Sequence, residues 1–339
     1  MGFRVLLAVL LLSAWYVGPT PAQELEQHLQ SASRGLVGQP APRLTLTTID
    51  GKQVDLGALY GKKAVYLKFW ATWCVPCREQ MPHFESTFRK AGPDLEVISI
   101  NVGFNDTVAQ VREFRRKLGL TMPTVVDDGR LAGAFNLRVT PQHIVVGRDG
   151  RVQFIGHQVD EKLEKALVAA RTVAPSPALS AKAPQQTTEL KLGDSVARLS
   201  AVTVSGEAFK MQDPEAKRPT VVVFFSPWCE SYLETSRPEV AAQCRKVREE
   251  VTKLGKQNNA RWLGVAWRIW STKNDVRSYR TENHIPFPVA LDEPGELFRS
   301  FHVTAMPTLF VIDAQGRITH RIEGSDAEVT ATLRAALTL

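Results

Sequence analysis

The chain has 339 residues, of which 44% are hydrophobic and 23% are charged, and its formal net charge is +7. At about 100–200 residues per domain, this length indicates two domains, and the hydrophobic content excludes a chain that is disordered throughout. The basic residues are scattered and mostly mixed with acidic ones, as on solvated helix faces, so we expect no nucleic acid partner.

The first 22 residues have the layout of a secretory signal peptide. Arg4 precedes the apolar run Val5 to Val17, and the small residue Ala22 lies at the expected cleavage point. A retained membrane anchor is the alternative, but a run of about 13 residues is short for a span that needs about 20. We therefore predict a signal peptide at 1–22, an N-terminal segment at 23–35, and an exported, periplasmic protein.

The remainder of the chain contains an internal repeat. Cys74 matches Cys229 at an offset of 155 residues, and Pro141 matches Pro307 at an offset of 166. The offset changes only by small insertions, so the chain is a duplicated domain.

Both copies, at 36–172 and 189–339, show the same order of elements, and the segment 173–188 between them is a linker rich in Pro, Ala, Ser and Gln. An apolar strand ("AVYLKFW" and "TVVVFF") follows an entry segment and leads into a Trp-Cys turn and a helix. A second strand ("LEVISINV" and "RWLGVAW"), another helix, a strand next to proline ("QHIVVG" and "TLFVID"), a hairpin and a last helix complete each copy. This alternation predicts an α/β fold with a mixed sheet.

The chain has four cysteines, fewer than a disulfide-stapled exported protein usually has, which favours redox chemistry over scaffolding. Two of them lie in "WCVPC", where a buried strand ends and a helix begins. Because a helix N-terminus favours a thiolate, we predict Cys74 as the exposed nucleophile and Cys77 as the inner resolving cysteine. Trp73 and Pro76 of the motif are included in the predicted site. Zinc binding is the alternative, but no second Cys or His pair follows at a suitable spacing, so we expect no metal and no cofactor.

The strand "QHIVV" is preceded by Thr140 and Pro141. A cis bond between these two residues would leave the Thr140 backbone able to pair with an extended peptide, although an X-Pro bond by itself is trans far more often. We therefore predict Thr140 as a substrate-binding residue and Pro141 as part of the catalytic site.

The stretch "GQPAPRLTLTTIDGKQVDLGALYGKKAVYLKFWATWCVPCREQMP" resembles the opening of a TlpA/ResA-type member of the thioredoxin superfamily. The similarity continues through Pro141 and "DGRVQFIG", and it covers 36–172 well and 189–339 more weakly. The resemblance implies two tandem thioredoxin-like folds, an exported disulfide oxidoreductase and a cis proline at Pro141. It also favours reduction of protein disulfides, with electrons from a membrane partner.

Two positions depart from the pattern of that family. Lys68 stands where thioredoxins have Asp and TlpA-like proteins often have Asn, and Gln80 stands where a Glu is common. A buried Lys68 would lower the thiol pKa and make the cysteine couple more oxidising, whereas a Lys68 directed to solvent would not. His83 is a possible proton carrier, but a lone helical His is more often structural.

The second copy keeps only part of the site. Trp228, Cys229 and Pro307 match Trp73, Cys74 and Pro141, but Tyr232 replaces the resolving cysteine. Cys244 lies 15 residues after Cys229, about 22 Å away along a continuous helix and beyond disulfide reach. We therefore expect a buried, apolar Cys244 and no dithiol turnover in this copy.

Several functions follow from these observations. The leading hypothesis is thiol-disulfide exchange with protein substrates at Cys74 and Cys77, with the second copy recognising or positioning the client and with Cys229 and Pro307 as its candidate contacts. The alternatives are a binding or scaffold protein for thiol-containing clients, and thiol peroxidase activity at Cys229. The sequence does not indicate an oligomeric state.

Overall fold

The computed structural model describes residues 35–175, 189–257, 259–324 and 329–337. The predicted signal peptide (1–22), almost all of the predicted N-terminal segment and most of the predicted linker lie outside these ranges. Each helix in these ranges is too short or too polar to span a membrane.

The first half is built around a five-stranded mixed sheet with the strand order β5-β4-β3-β6-β7. Strands β3, β4 and β5 are parallel, and β6 and β7 are antiparallel to their neighbours. The strands are β1 (Thr45–Thr47), β2 (Gln53–Asp55), β3 (Ala64–Trp70), β4 (Leu95–Asn101), β5 (Thr124–Val126), β6 (Gln142–Val146) and β7 (Val152–Gly156). The helices are α1 (Leu56–Leu59), α2 (Val75–Glu79), α3 (Met81–Arg89), α4 (Val108–Lys117), α5 (Arg130–Ala134) and α6 (Glu161–Thr172).

The second half repeats this topology, with the strand order β12-β11-β10-β13-β14. Its strands are β8 (Ser200–Val202), β9 (Ala208–Lys210), β10 (Thr220–Phe225), β11 (Arg261–Ala266), β12 (Val289–Leu291), β13 (Thr308–Ile312) and β14 (Ile318–Glu323). Its helices are α7 (Cys229–Ser236), α8 (Pro238–Leu254), α9 (Lys273–Glu282), α10 (Glu296–Ser300) and α11 (Val329–Ala336). The predicted α/β fold with two tandem thioredoxin-like units is confirmed.

Strand β3 shows why the central strands could be recognised in the sequence. It pairs with β4 on one side and β6 on the other, and all seven of its residues are buried. A strand covered on both faces is apolar along its whole length rather than at alternate positions. Lys68 is the only charged residue in this strand, and it therefore requires a separate explanation.

The helix that follows Cys229 is broken, which corrects the prediction of a continuous helix. Helix α7 ends at Ser236 and α8 begins at Pro238, with Arg237 between them at φ −147° and ψ 64°. Proline lacks an N–H group and disfavours helical geometry in the residue before it, so it can begin α8 but cannot continue α7. The break lets α8 pack against α7 instead of extending away from it.

The two halves contact each other through equivalent loops. Asn105 and Trp270 each lie two residues before the threonine that caps the next helix, Thr107 for α4 and Thr272 for α9. The Asn105 N–H donates to the carbonyl oxygen of Thr304 at 2.8 Å, and the Trp270 N–H donates to the carbonyl oxygen of Arg138 at 2.9 Å.

Both acceptors occupy matching places, three residues before the proline that precedes β6 or β13. Asn105 and Trp270 also share a left-handed backbone, with φ of 53° and 59°. The contact is therefore reciprocal: each half inserts its loop beside the proline segment of the other.

Candidate active site

The two cysteines of "WCVPC" form a disulfide at the start of α2. Their Cα atoms are 5.2 Å apart, and the Cys74 sulfur accepts the N–H of Cys77 at 3.3 Å, so Cys74 caps the helix. Trp73 is fixed beside them because its Nε1–H donates to the carbonyl oxygen of Phe104 at 2.8 Å. Pro76 lies in the first turn, where its missing N–H is not needed.

Cys74 is not exposed, contrary to our prediction. Both Cys74 and Cys77 are fully buried, and aromatic side chains of the second half contact the two residues that flank Cys74. The rings of Trp73 and Trp228 are 5.3 Å apart, and Tyr232 meets Trp73 edge to face at 6.2 Å. The Val75 N–H also donates to the Tyr232 hydroxyl oxygen at 3.4 Å. Tyr232, which stands in the place of the predicted resolving cysteine, thus contacts both neighbours of Cys74.

The segment before Pro141 is also occupied by the second half. The Thr140–Pro141 bond is cis, as predicted, and so is the Met306–Pro307 bond. Besides its backbone bond to Arg138, Trp270 donates its Nε1–H to the Thr140 hydroxyl at 3.3 Å. Trp270 therefore contacts Thr140, the residue that we predicted to bind an extended peptide.

An ion pair between the two halves adds to the contacts made by Trp228, Tyr232 and Trp270, which together form an aromatic cover on the first half. Arg237, the residue at the helix break, lies 3.0 Å from the carboxylate of Asp106 and also donates to the Thr72 hydroxyl. Asp106 accepts further hydrogen bonds from the Thr72 N–H and the Asn101 amide, both at 2.7 Å. Burial raises the pKa of Asp106, while the donors from Asn101 and Thr72 and the charge of Arg237 oppose that rise.

Lys68 is fully buried, which decides between the two orientations left open by the sequence. In the register of the sheet, Lys68 lies opposite Ser99 of β4 and His143 of β6, so the three side chains share the face of the sheet that carries α3. The ammonium nitrogen lies 5.5 Å from the ring centre of Phe84 and has no hydrogen-bond partner among the described residues. Burial lowers the pKa of Lys68 to about 7.

His143 is a site residue that the sequence reasoning missed. Its Nε2 lies 2.9 Å from the Gln80 amide oxygen, and its Nδ1 lies 2.7 Å from the Tyr66 hydroxyl. Since the Gln80 amide nitrogen donates to the carbonyl oxygen of His157, the amide oxygen must face His143, which then carries its proton on Nε2. Burial and then the nearby Lys68 lower the pKa of His143, so the ring is neutral.

A polar residue within the apolar strand "QHIVV" was the available signal for His143. Gln80, which we had noted only as a departure, holds the ring in place. His83 instead lies 2.7 Å from Glu164 on α6, so it joins two helices rather than facing the cysteines.

The second half contains a disulfide that we had not expected. Cys229, the first residue of α7, is bonded to Cys244 in α8, with their Cα atoms 6.3 Å apart. The estimate of about 22 Å assumed a continuous helix, and the break before Pro238 removes that separation. Cys244 is buried, as predicted, but it is not a free apolar cysteine. Among the described residues, no group of three or more His, Cys, Asp or Glu side chains is placed to hold a metal ion.

Comparison with known proteins decides the family. The AhpC/TSA family model matches residues 37–155, and the Redoxin model matches residues 179–337. A thiol-disulfide oxidoreductase ResA from Bacillus thuringiensis (strain Al Hakam) is 33% identical over 132 residues, which are 38% of this chain and 75% of the relative. The chain belongs to the ResA-like thiol-disulfide oxidoreductases.

Other relatives of this ResA-like enzyme also match only part of the chain. A thiol-disulfide oxidoreductase ResA from Bacillus cereus is 31% identical over 166 residues, covering 48% of this chain and 91% of the relative. A thiol:disulfide interchange protein of the thioredoxin family from Chlorobium tepidum TLS is 25% identical, covers 39% of this chain and 96% of that chain, and has a TM-score of 0.36. Each of these matches covers less than half of this ResA-like chain.

Replacing Lys68 by Asn in this ResA-like enzyme is expected to make the Cys74–Cys77 couple more reducing at pH 7. A protonated Lys68 stabilises a thiolate of the Cys74–Cys77 pair. Each unit by which its charge lowers the thiol pKa raises the reduction potential of the couple by about 30 mV. Because the Lys68 pKa is about 7, its charge is lost as the pH rises, so the difference between the variants should be smaller at pH 9. Equilibration with redox buffers at both pH values measures the reduction potentials of the wild type and of Lys68→Asn. Equal potentials at pH 7 would contradict the expected effect of Lys68 on the cysteine couple.

Proposed function

We propose that this enzyme reduces disulfides of exported proteins through Cys74 and Cys77. The observation that carries the direction is the complete burial of both cysteines, with aromatic side chains packed against Trp73 next to Cys74. Apolar burial raises a thiol pKa and disfavours the thiolate, and a dithiol that is poorly stabilised gives up its electrons readily. Lys68 opposes this effect only in part, since a pKa of about 7 leaves it partly neutral at neutral pH.

The proposed reaction proceeds in two exchanges. The Cys74 thiolate attacks one sulfur of a client disulfide, a mixed disulfide forms, and the other client sulfur leaves as a thiolate. The Cys77 thiolate then attacks the Cys74 sulfur, which releases the second client thiolate and restores the Cys74–Cys77 disulfide. The two client thiolates take up protons, and the enzyme has lost two electrons. A dithiol partner at the membrane would restore them by the reverse exchanges.

The second half would select the client by competing for the same groove. Trp270 contacts Arg138 and Thr140, and Tyr232 contacts the backbone beside Cys74. A client must displace these groups, and an extended peptide can replace the bond from the Trp270 N–H with one of its own. This role agrees with the expected use of the second half for client recognition or positioning, and it favours flexible protein segments over compact surfaces.

The periplasmic location and the membrane electron donor are parts of the same proposal. They rest on the signal-like sequence at 1–22 and on the resemblance to TlpA/ResA-type proteins. A periplasmic reductase needs such a donor because its compartment is kept oxidising.

The reduction potential of the Cys74–Cys77 couple tests the direction. The full chain is equilibrated with graded dithiothreitol mixtures, and the thiols of residues 74 and 77 are quantified by alkylation and peptide mass spectrometry. A potential close to that of thioredoxin, about −270 mV, supports reduction. A potential close to that of DsbA, about −120 mV, would overturn it in favour of oxidation.

A further inference from the structure

The Cys229–Cys244 disulfide has one sulfur in the position of a redox nucleophile. Cys229 follows Trp228 at the end of β10, as Cys74 follows Trp73 at the end of β3, and it begins the eight-residue helix α7. The first N–H groups of a helix lack intrahelical partners and favour an anion. The partner of Cys229 is Cys244 in α8, whereas the partner of Cys74 is Cys77 in the next helical turn.

The other sulfur borders a cleft. Cys244 lines a small, partly open cleft with a cavity volume of about 30 Å³, together with Ser226 and Pro307. Cys229 does not line this cleft and is 1% exposed, whereas Cys244 is 7% exposed. The two ends of the disulfide are therefore unequal, with Cys244 facing the cleft and Cys229 enclosed at the helix start.

The cleft is mainly apolar and has one unsatisfied polar group. Valine and phenylalanine side chains form most of its wall, namely Val223, Phe225, Val247, Val251, Phe287 and Val289. The Ser226 hydroxyl is buried, lines the cleft and has no hydrogen-bond partner among the described residues. Arg248 also reaches the cleft, but its guanidinium is bound to Glu230 at 2.7 Å.

We propose that Cys229–Cys244 is a second redox site, reduced through this cleft by a small, uncharged thiol with an apolar group. The cleft is too small for a folded protein, so the substrate differs in class from that of the first site. An apolar thiol gains from contact with the valine and phenylalanine wall, and its sulfur or a hydroxyl group can bond to Ser226.

The exchange balances with two equivalents of thiol. A thiolate RS⁻ attacks the Cys244 sulfur, and Cys229 leaves as a thiolate stabilised by the α7 N-terminus, since the better-stabilised thiolate leaves faster. A second RS⁻ attacks the sulfur that carries R in the mixed disulfide, which releases RSSR and the Cys244 thiolate. Two protons bind the two protein thiolates. The protein disulfide gains two electrons, and two RSH molecules lose them.

The test uses the full chain with both Cys74→Ser and Cys77→Ser, so its outcome does not depend on the proposed function of the first pair. Folded protein is incubated without oxygen with benzyl mercaptan or with glutathione at equal thiolate concentration, quenched in acid, and alkylated in denaturant. Mass spectrometry counts the alkylated cysteines. Benzyl mercaptan should reduce Cys229–Cys244 at least about tenfold faster, as expected for burial of a few carbon atoms.

Two substitutions in the cleft wall form a matched pair. Val247→Ala widens the cleft and should speed reduction by benzyl mercaptan several-fold relative to the rate with glutathione, while Val247→Leu narrows the cleft and should slow it on the same relative scale. A purely structural disulfide would react only after global unfolding, so a substitution at residue 247 would change its rates with the two thiols by the same factor and leave their ratio unchanged. That result would overturn the proposal, and the Ala variant alone suffices if the Leu variant does not fold.

Discussion

Replacing Trp270 by alanine is expected to raise the rate at which the full chain reduces insulin by about tenfold or more. The substitution removes the hydrogen bond to Thr140 and the ring contact with Tyr232, whose centroid lies 5.7 Å away. Each contact contributes about 0.5–1.5 kcal/mol, and about 1.4 kcal/mol corresponds to a tenfold change in an equilibrium. Loss of both contacts, about 2 kcal/mol at the middle of these ranges, should increase the open population by roughly thirtyfold.

Two measurements check this expectation. The first is insulin reduction with dithiothreitol, and the second is the alkylation rate of Cys74 in protein that was reduced beforehand, read by peptide mass. Both rates should rise together, because a protein substrate and an alkylating reagent need the same sulfur to be uncovered.

Two controls separate the cover from general effects of substitution. Trp270→Phe keeps a ring but loses the N–H donor, so it should give an intermediate rate. Leu192→Ala truncates an exposed apolar side chain of the second half and should change neither rate. If Trp270→Ala leaves both rates at the wild-type value, the cover does not limit access and the proposed selection of clients is wrong.

Replacing Cys77 by serine is expected to stop turnover and to trap clients on Cys74. The first exchange can still occur, but no second thiolate is available to release the client from the mixed disulfide. Bands of higher mass should therefore appear when exported proteins are separated without reducing agent, and they should disappear with dithiothreitol. Adding Trp270→Ala to Cys77→Ser should increase the trapped fraction, because the cover no longer competes with the client.

The matched control for trapping is Cys74→Ser. It should also lose turnover but should trap little, since Cys77 lies within the first turn of α2 while Cys74 caps the helix. Peptide mapping of the trapped species assigns the bond to Cys74 and excludes Cys229 and Cys244. Equal trapping by Cys74→Ser would contradict the assignment of the nucleophile.

The central strands and the first site could be predicted because their signals are local. Apart from Lys68, the strand "AVYLKFW" is apolar along its length, and its bounds in the structure are those of the quoted segment, Ala64–Trp70. Cys74 and Cys77 are close in sequence, so one helical turn is enough to bring them together. Strands β5 and β12 have three residues each, too few for a hydrophobic period to distinguish them from loops.

The environments of Lys68 and His143 depended on pairing between strands. Only the register of β3 with β6 places these two side chains opposite each other, and only the packing of α3 above them removes solvent. The pairing of Cys229 with Cys244 similarly depended on how α8 packs after Pro238. The proline that breaks the helix was visible in the sequence, but the direction of the chain after the break was not.

By itself, the sequence determined that this chain holds two copies of one fold, a complete dithiol motif and a partial copy of it. Repeat spacing and motif residues are properties of the chain that do not depend on how its halves meet. Only the tertiary structure decided that Tyr232 and Trp270 of one copy cover Cys74 and Thr140 of the other. The physical reason is that these contacts join residues more than 100 positions apart, where the surfaces of two folded units, rather than local backbone preferences, determine which side chains meet.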